Sequence, residues 1–313
     1  MNREQDYIHY ISKLTKSQNV DNISRTKAYL SFYLDFPEIK WSLLASIVSR
    51  NAGWNMTDLH LAPFQTLLGK KEKNELFMTY ERANWLIFSD AFPQLLVYKL
   101  SKRNHKPMFH LLSNFHVSKF MVKEWYRYWK TKNKDRLMNA LIINEQNVIH
   151  DPVIKQPYFK KHVFYNFPYM MQDFLFMSAV ILPTKSKGLY GIYISRFTNL
   201  AKRIETGKEI ASILFSNEIY PDIMHFLLTV EHTGSRYDYE KYYPIFLPRN
   251  PMLRFVYPVI SHKDIIRNDW FKYRGVKSGW FQTLPKSNKE PIGKKFYSKR
   301  ILLFGYAKLR ERV

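Results

Sequence analysis

Apolar positions recur at helical spacing along most of the chain, and helix punctuation falls between the runs. Asn22 or Ser24 is placed to cap a helix that continues to about Leu34. Pro37 is placed to open the next, which runs to about Asn51 with Gly53 as its stop. Pro107 and Ser118 mark two further starts. The spacing predicts additional helices over 72–88, 91–103, 107–114, 118–131, 135–149, 168–181, 196–216, 220–230 and 263–272. "GLYGIYIS" (188–195) is the best strand candidate, and "LPTKSKGLYG" (182–191) the best break. After about residue 243 the pattern weakens, because Pro244, Pro248, Pro251, Pro258, Pro285 and Pro291 interrupt it. The predicted fold is mainly α. A multi-helical globular body covers 1–243, and an irregular basic extension over 244–313 packs on it as part of one structural unit.

Helical geometry turns several polar residues toward the core. At about 100° per residue, Arg50 lies within about 20° of Ile39 and Leu43, on the apolar stripe of its helix. The opposite face, with Glu38, Ser42, Ala45, Ser46 and Ser49, is small or polar. An inward arginine needs a carboxylate or carbonyl partner. In "RLMNALIINEQNVIH", Glu145 falls in the middle of the arc of Leu137, Leu141, Met138, Ile149, Ile142 and Val148, with Arg50, Arg25 and Arg236 as candidate partners. "FPYMMQDFLFMSAVIL" is apolar all round apart from Gln172 and Asp173, as a central helix would be.

Two short stretches concentrate hydrogen-bonding groups around a glycine. "SRNAGWNMTDL" (49–59) carries Arg50, Asn51, Trp54, Asn55, Thr57 and Asp58 around Gly53. "EHTGSRYDYE" (231–240) carries His232, Ser235, Arg236 and Asp238 around Gly234, whose freedom at positive φ suits a bent, ligand-ready loop. Each has a plain structural reading: Thr57 and Asp58 cap the next helix, and an inward Arg–Glu pair only holds the fold. Together they point to a shared polar pocket. Its ligand-binding candidates are Arg50, Asn51, Trp54, Asn55, Gln172, Ser235, Arg236 and Asp238, and its acid–base candidates are Glu145, His232 and Asp58.

Composition narrows the chemistry. With 313 residues, 46% apolar and 24% charged, the chain builds a substantial core, and 22 Tyr, 23 Phe and 7 Trp make that core aromatic. The absence of cysteine excludes disulfides, thiolate catalysis and Cys-ligated zinc, and fits a reducing cytosol. Only 10 glycines argue against glycine-rich cofactor loops. No P-loop, dinucleotide fingerprint, nucleophile elbow or zincin motif occurs, so no cofactor is assigned. A metal set drawn from Asp58, His60, Glu145, His232 and Asp238 has no supporting spacing, and no metal is assigned. The polar N-terminus does not read as a secretory signal. The longest apolar run, "FLFMSAVIL", is far short of the about 20 residues a membrane span needs. The expectation is a cytoplasmic protein with no membrane span.

The net charge of +23 suggests a polyanionic partner. It is concentrated in 99–136, with 11 Lys/Arg against 2 Asp/Glu, and in 262–313, with 14 against 4. "SKFMVKEWYRYWKTKNKDR" interleaves cations with aromatics, as a face that tracks phosphates and stacks bases would. In the plain reading Phe120, Trp125 and Trp129 are core, and Lys119, Lys123, Arg127 and Lys130 are its solvated rim.

The blocks "NISRTKAYLSFYLDFPEIKWSLLASIVSRNAGWNMTDL", "NEQNVIHDPVI" and "EHTGSRYDYE" resemble those shared by a bacterial family of unknown function found in Bacillus and related Gram-positives. The resemblance spans about 20 to 300. It implies a cytosolic bacterial protein without an assigned activity and supplies no catalytic residues.

Three readings of function follow. A binding protein would hold a small anionic ligand, or nucleic acid, through Arg50, Arg236 and the basic helices. A hydrolase or transferase would need Glu145 or Asp58, His232 and the arginines to converge on one concave pocket. A structural or interaction protein would pair Arg50 and Glu145 with each other or with backbone, with no cavity beside them.

Overall fold

The computed structural model describes residues 3–159, 179–263, 266–282 and 290–310. Its chain is mainly helical. In order come α1 (Arg3–Gln18), α2 (Asn22–Asp35), α3 (Lys40–Asp58), α4 (Ala62–Leu67), α5 (Lys70–Arg103), α6 (Lys119–Thr131) and α7 (Lys134–Val148). An antiparallel hairpin of β1 (Ala179–Pro183) and β2 (Leu189–Tyr193) follows, then α8 (Leu200–Leu214), α9 (Tyr220–Thr229) and α10 (Gly293–Arg310).

Helices α2 and α3 form an antiparallel pair joined by the turn at Pro37, so that proline precedes α3 rather than opening it. The polar face of α3 makes the contact. Ser42 donates to the Tyr29 carbonyl at 2.7 Å and Ser46 to the Thr26 carbonyl at 3.0 Å, while the Asn22 amide donates to the Ser49 carbonyl at 2.7 Å. Small hydroxyls let the two backbones approach, so the face opposite the apolar stripe is buried as well. Gly53 does not stop the helix, which runs five residues further. A Cβ there would lie 2.5 Å from Asn22 Oδ1 and 3.0 Å from His232 Nε2, so glycine serves close packing rather than a C-cap.

The two helices expected over 72–88 and 91–103 are one, α5, of 34 residues, with Pro93 inside it. Proline cannot donate to the carbonyl four residues back. That carbonyl, Ser89, instead accepts from Arg267 at 3.3 Å. Segment 109–115 is a 3-10 turn of helix. Ser118 and Asn133 cap α6 and α7 through Met121 N–H at 3.3 Å and Arg136 N–H at 2.9 Å. Trp125 sits at the centre of this layer, stacked on Phe109 and Tyr98 and donating to Gln94 at 2.8 Å.

The predicted strand is β2, and its partner β1 corrects the end of the helix expected over 168–181; the rest of that helix, with Gln172 and Asp173, lies outside the described residues. Gly191 is required at this crossing, because a Cβ would fall 2.0 Å from the Val180 carbonyl oxygen. Among the described residues of the helix expected over 263–272, only one turn, Trp270–Arg274, is helical. Segment 244–263 is irregular apart from a single turn at Leu253–Val256, as its prolines require. The chain then recovers helix in the 18 residues of α10, which begins two residues after Pro291 and buries Phe296, Tyr297, Arg300, Leu303 and Ala307. That helix stands within the C-terminal stretch expected to be irregular.

Candidate functional site

The two glycine-centred stretches meet. Residues 230–240 lie across the C-terminal half of α3, held by five side chains of that helix. Thr57 donates to the Gly234 carbonyl at 2.7 Å, which is a tie between segments and not a cap of α4. The Trp54 indole donates to Asp238 at 3.2 Å. Arg236 donates to Asp58 at 2.7 Å and to Asn55 at 2.8 Å. Arg50 donates to the Val230 carbonyl. Asn51 turns the other way: its amide donates to the Ile181 carbonyl at 2.8 Å and its carbonyl accepts the Ile181 N–H at 2.8 Å, extending the edge of β1.

Nearly every member of this cluster is buried, and most are saturated with partners. Asp58 receives Arg236, Arg300 at 3.1 Å and the Asn250 amide at 3.2 Å. Ser235 donates to the Asn250 carbonyl at 2.7 Å. Burial weakens the Arg236 cation, but the Asp58 charge and Tyr239 outweigh it and its pKa is raised. Among the described residues, Arg300 Nε and Glu240 Oε1 are buried without a partner, and Arg50 is the least satisfied of all. Its Nε and Nη1 are buried with no acceptor, and burial pulls its pKa down to about 10 against the opposing pull of Asp238 and Glu231. Its guanidinium also rests over the Phe226 ring, 5.2 Å from the centroid.

His232 is buried with its two ring nitrogens facing acceptors, Asn22 Oδ1 at 3.0 Å and Asp238 Oδ2 at 3.4 Å. An imidazolium would satisfy both. Burial, together with the nearby Arg50 charge, opposes protonation and brings the pKa down to about 4. Burial pushes Asp238 up, but His232 and Thr233 more than offset it and its pKa is lowered. At neutral pH the His232–Asp238 contact is therefore not an ion pair.

Glu145 stands apart. It accepts from the Trp41 indole at 3.0 Å and from the Gln146 amide at 3.0 Å, at the other end of α3, about 14 Å along the axis from Arg50. Burial pushes its pKa up to about 7. None of its three expected arginine partners reaches it. Arg25 is bound bidentately to Glu81, Arg236 to Asp58, and Arg50 to backbone. Two indole and amide donors suffice because a carboxyl with a raised pKa carries its proton over a wider pH range.

Among the described residues no group of three or more His, Asp or Glu side chains is arranged to hold a metal ion. Two cavities are described: one of about 320 Å³ beside Asn22 and Tyr257, and one of about 520 Å³ between the start of α8 and 279–282. Neither is lined by any of the site residues expected from the sequence. Asn22, Asn250 and Arg300 also belong to the network and carry no signal of it in the sequence. Asn22 could only be read as a cap, and the other two lie far along the chain from the residues they bind.

Fold and site thus define a mainly helical protein organised around a buried polar network, with no helix among the described residues long and apolar enough to cross a membrane. The chain belongs to the DUF2515 family of proteins of unknown function, whose pattern matches residues 17–297. It is 51% identical over 279 residues to the uncharacterised protein YppC of Bacillus subtilis strain 168, covering 88% of this chain and 87% of that one. No solved structure matches.

Proposed function

We propose that the protein binds nucleic-acid phosphates through one basic face, made where the two cation-rich segments pack together. The observation that carries this reading is the seat of Phe120. Its ring lies 5.5 Å from Trp270, 5.9 Å from Phe271 and 6.3 Å from Phe281, centroid to centroid. The Lys119 N–H donates to Asp269 at 3.1 Å across the same seam. Around it Lys119, Lys123, Arg127 and Lys130 of α6 and Lys132 just past its end are exposed, as are Lys272 and Lys277. Burial leaves the positive excess outside, since 7 acidic and only 6 Lys/Arg side chains are buried among the described residues.

Phe120 and Trp125 are core, so they are not free to stack on bases. Tyr273, 80% exposed, is the large aromatic left open on this face. The recognition is therefore of charge more than of sequence. A cytosolic location belongs to the same reading.

The test is binding of short duplex and single-stranded oligonucleotides by fluorescence anisotropy, with salt raised from about 50 to 200 mM. About five phosphate contacts predict a loss of several hundred-fold in affinity over that range. Reversing Lys123 and Lys130 to Glu should weaken binding at least tenfold at low salt. Salt-insensitive binding, no effect of charge reversal, or binding of anionic vesicles in preference to oligonucleotides would each count against the reading.

A second reading, a small anion held at Arg50, is favoured by its two unpartnered nitrogens. Because those atoms have no accessible surface, it requires residues 230–240 to shift. Acid–base catalysis by Glu145 with His232 has no such support, since the two sit at different ends of α3.

A further inference from the structure

The cavity of about 320 Å³ lies directly behind the polar network, where the start of α2, the end of α3, α5 and residues 253–260 come together. We propose that it is a binding site for a small amphipathic carboxylate, with the apolar body inside and the anionic head on Arg254.

Its inner surface is apolar in effect. Met56, Phe77, Leu253 and Tyr257 supply side chains, with the Tyr257 ring stacked on Phe77 at 3.8 Å and Val259 at the mouth. The polar groups on the wall are already engaged. Asn22 holds Ser49 and His232, Glu81 holds Arg25 and His262, and the Tyr257 hydroxyl donates to the Met56 carbonyl at 3.1 Å. A ligand finds no free donor or acceptor among these side chains, so its body is hydrocarbon.

Arg254 differs. Its Nε donates to Asp21 at 2.6 Å and its Nη2 to Asp21 and Ser24, while Nη1 has no partner among the described residues and the side chain is 58% exposed. A half-solvated guanidinium with a spare nitrogen at the edge of an apolar cavity selects an anion over a neutral or cationic head. Asp21 is already neutralised by this pairing and offers nothing to a cation.

The polar network builds this wall. The Thr233 carbonyl accepts the Leu253 N–H at 2.9 Å, and a Cβ on Gly234 would sit 2.5 Å from the Leu253 Cβ. Gly234, at φ +79°, is the residue that admits Leu253 to the cavity. The volume is about ten water molecules at ~30 Å³ each, enough for a chain of roughly eight carbons with its head outside.

The experiment is calorimetric titration of the full chain with octanoate, octanol and octylamine. Octanoate is expected to bind with a negative heat-capacity change and at least tenfold more tightly than the other two. Val259→Trp, at a position 61% exposed and so tolerant of change, fills the cavity and should weaken octanoate at least tenfold. Arg254→Gln should remove the preference for octanoate while leaving octanol unchanged. No octanoate binding at millimolar concentration, or wild-type affinity in Val259→Trp, overturns the site. Equal binding of all three probes overturns the anionic head.

Discussion

Arg236 Nε lies 2.7 Å from Asp58 Oδ2, and both side chains are almost wholly buried, one from the end of α3 and one from a loop far along the chain. Arg300 of α10 adds a second guanidinium on the same oxygen at 3.1 Å. One carboxylate thus ties three distant segments. Asp58→Ala should lower stability by about 3–5 kcal/mol, because it strands buried positive charge. Replacing Asp58 and Arg236 together with Leu and Met should recover part of that loss. Urea unfolding measures both, and a loss below about 1 kcal/mol for Asp58→Ala would show the charges to be better solvated than the burial implies.

Asn51 supplies both hydrogen bonds at Ile181, replacing a missing neighbour strand. Asn51→Ala leaves a backbone donor and an acceptor buried and unpaired, at a cost of about 2–4 kcal/mol. The accompanying sign is faster hydrogen exchange at the Ile181 amide. Unchanged protection there would mean that β1 is held by β2 alone.

His232 links stability to pH. Its pKa falls from 6.5 to about 4 in the fold, so the unfolded chain takes up the proton first. Stability is full above about pH 6.5 and declines as pH falls toward 4, by up to about 3 kcal/mol. His150, lowered to about 4 by burial and by Arg203, acts in the same direction. His232→Gln should flatten part of the decline between pH 6.5 and 4. A variant with the wild-type slope would place the titration elsewhere.

Glu145 acts with the opposite sign. Its folded pKa of about 7 exceeds its ordinary 4.5, so the stability it contributes is complete below pH 4.5 and is lost as pH rises through 7. Glu145→Gln keeps an acceptor for Trp41 and removes the ionisation. It should raise the melting temperature at pH 8, by the equivalent of up to about 3 kcal/mol, and leave it unchanged near pH 4. Equal melting curves at pH 8 would refute this.

Much of the local structure is readable along the chain. The span of α6 follows from Ser118 and the apolar period, that of α7 from the period over 135–149, and β2 falls within the strand expected over 188–195. Helix breaks are the weak point. The break expected between 88 and 91 and the stop expected at Gly53 both fall inside helices, where Arg267 serves the carbonyl that the nearby Pro93 frees and Asn22 and His232 close on Gly53. Those partners come from segments distant in sequence, and no local period reports them.

The site divides in the same way. Periodicity alone determined that Arg50 and Glu145 point inward, since an angle of about 100° per residue is a local property. The concentration of polar groups around Gly53 and Gly234 also marked the two stretches that meet. Only the tertiary structure decided who pairs with whom: Arg236 with Asp58, Arg25 with Glu81, and Glu145 with no arginine. It also decided that the network fills its own space and that the cavity lies behind it, walled by Leu253 and Tyr257. Pairing of buried charges depends on distances between segments, and a one-dimensional pattern carries the need for a partner but not its address.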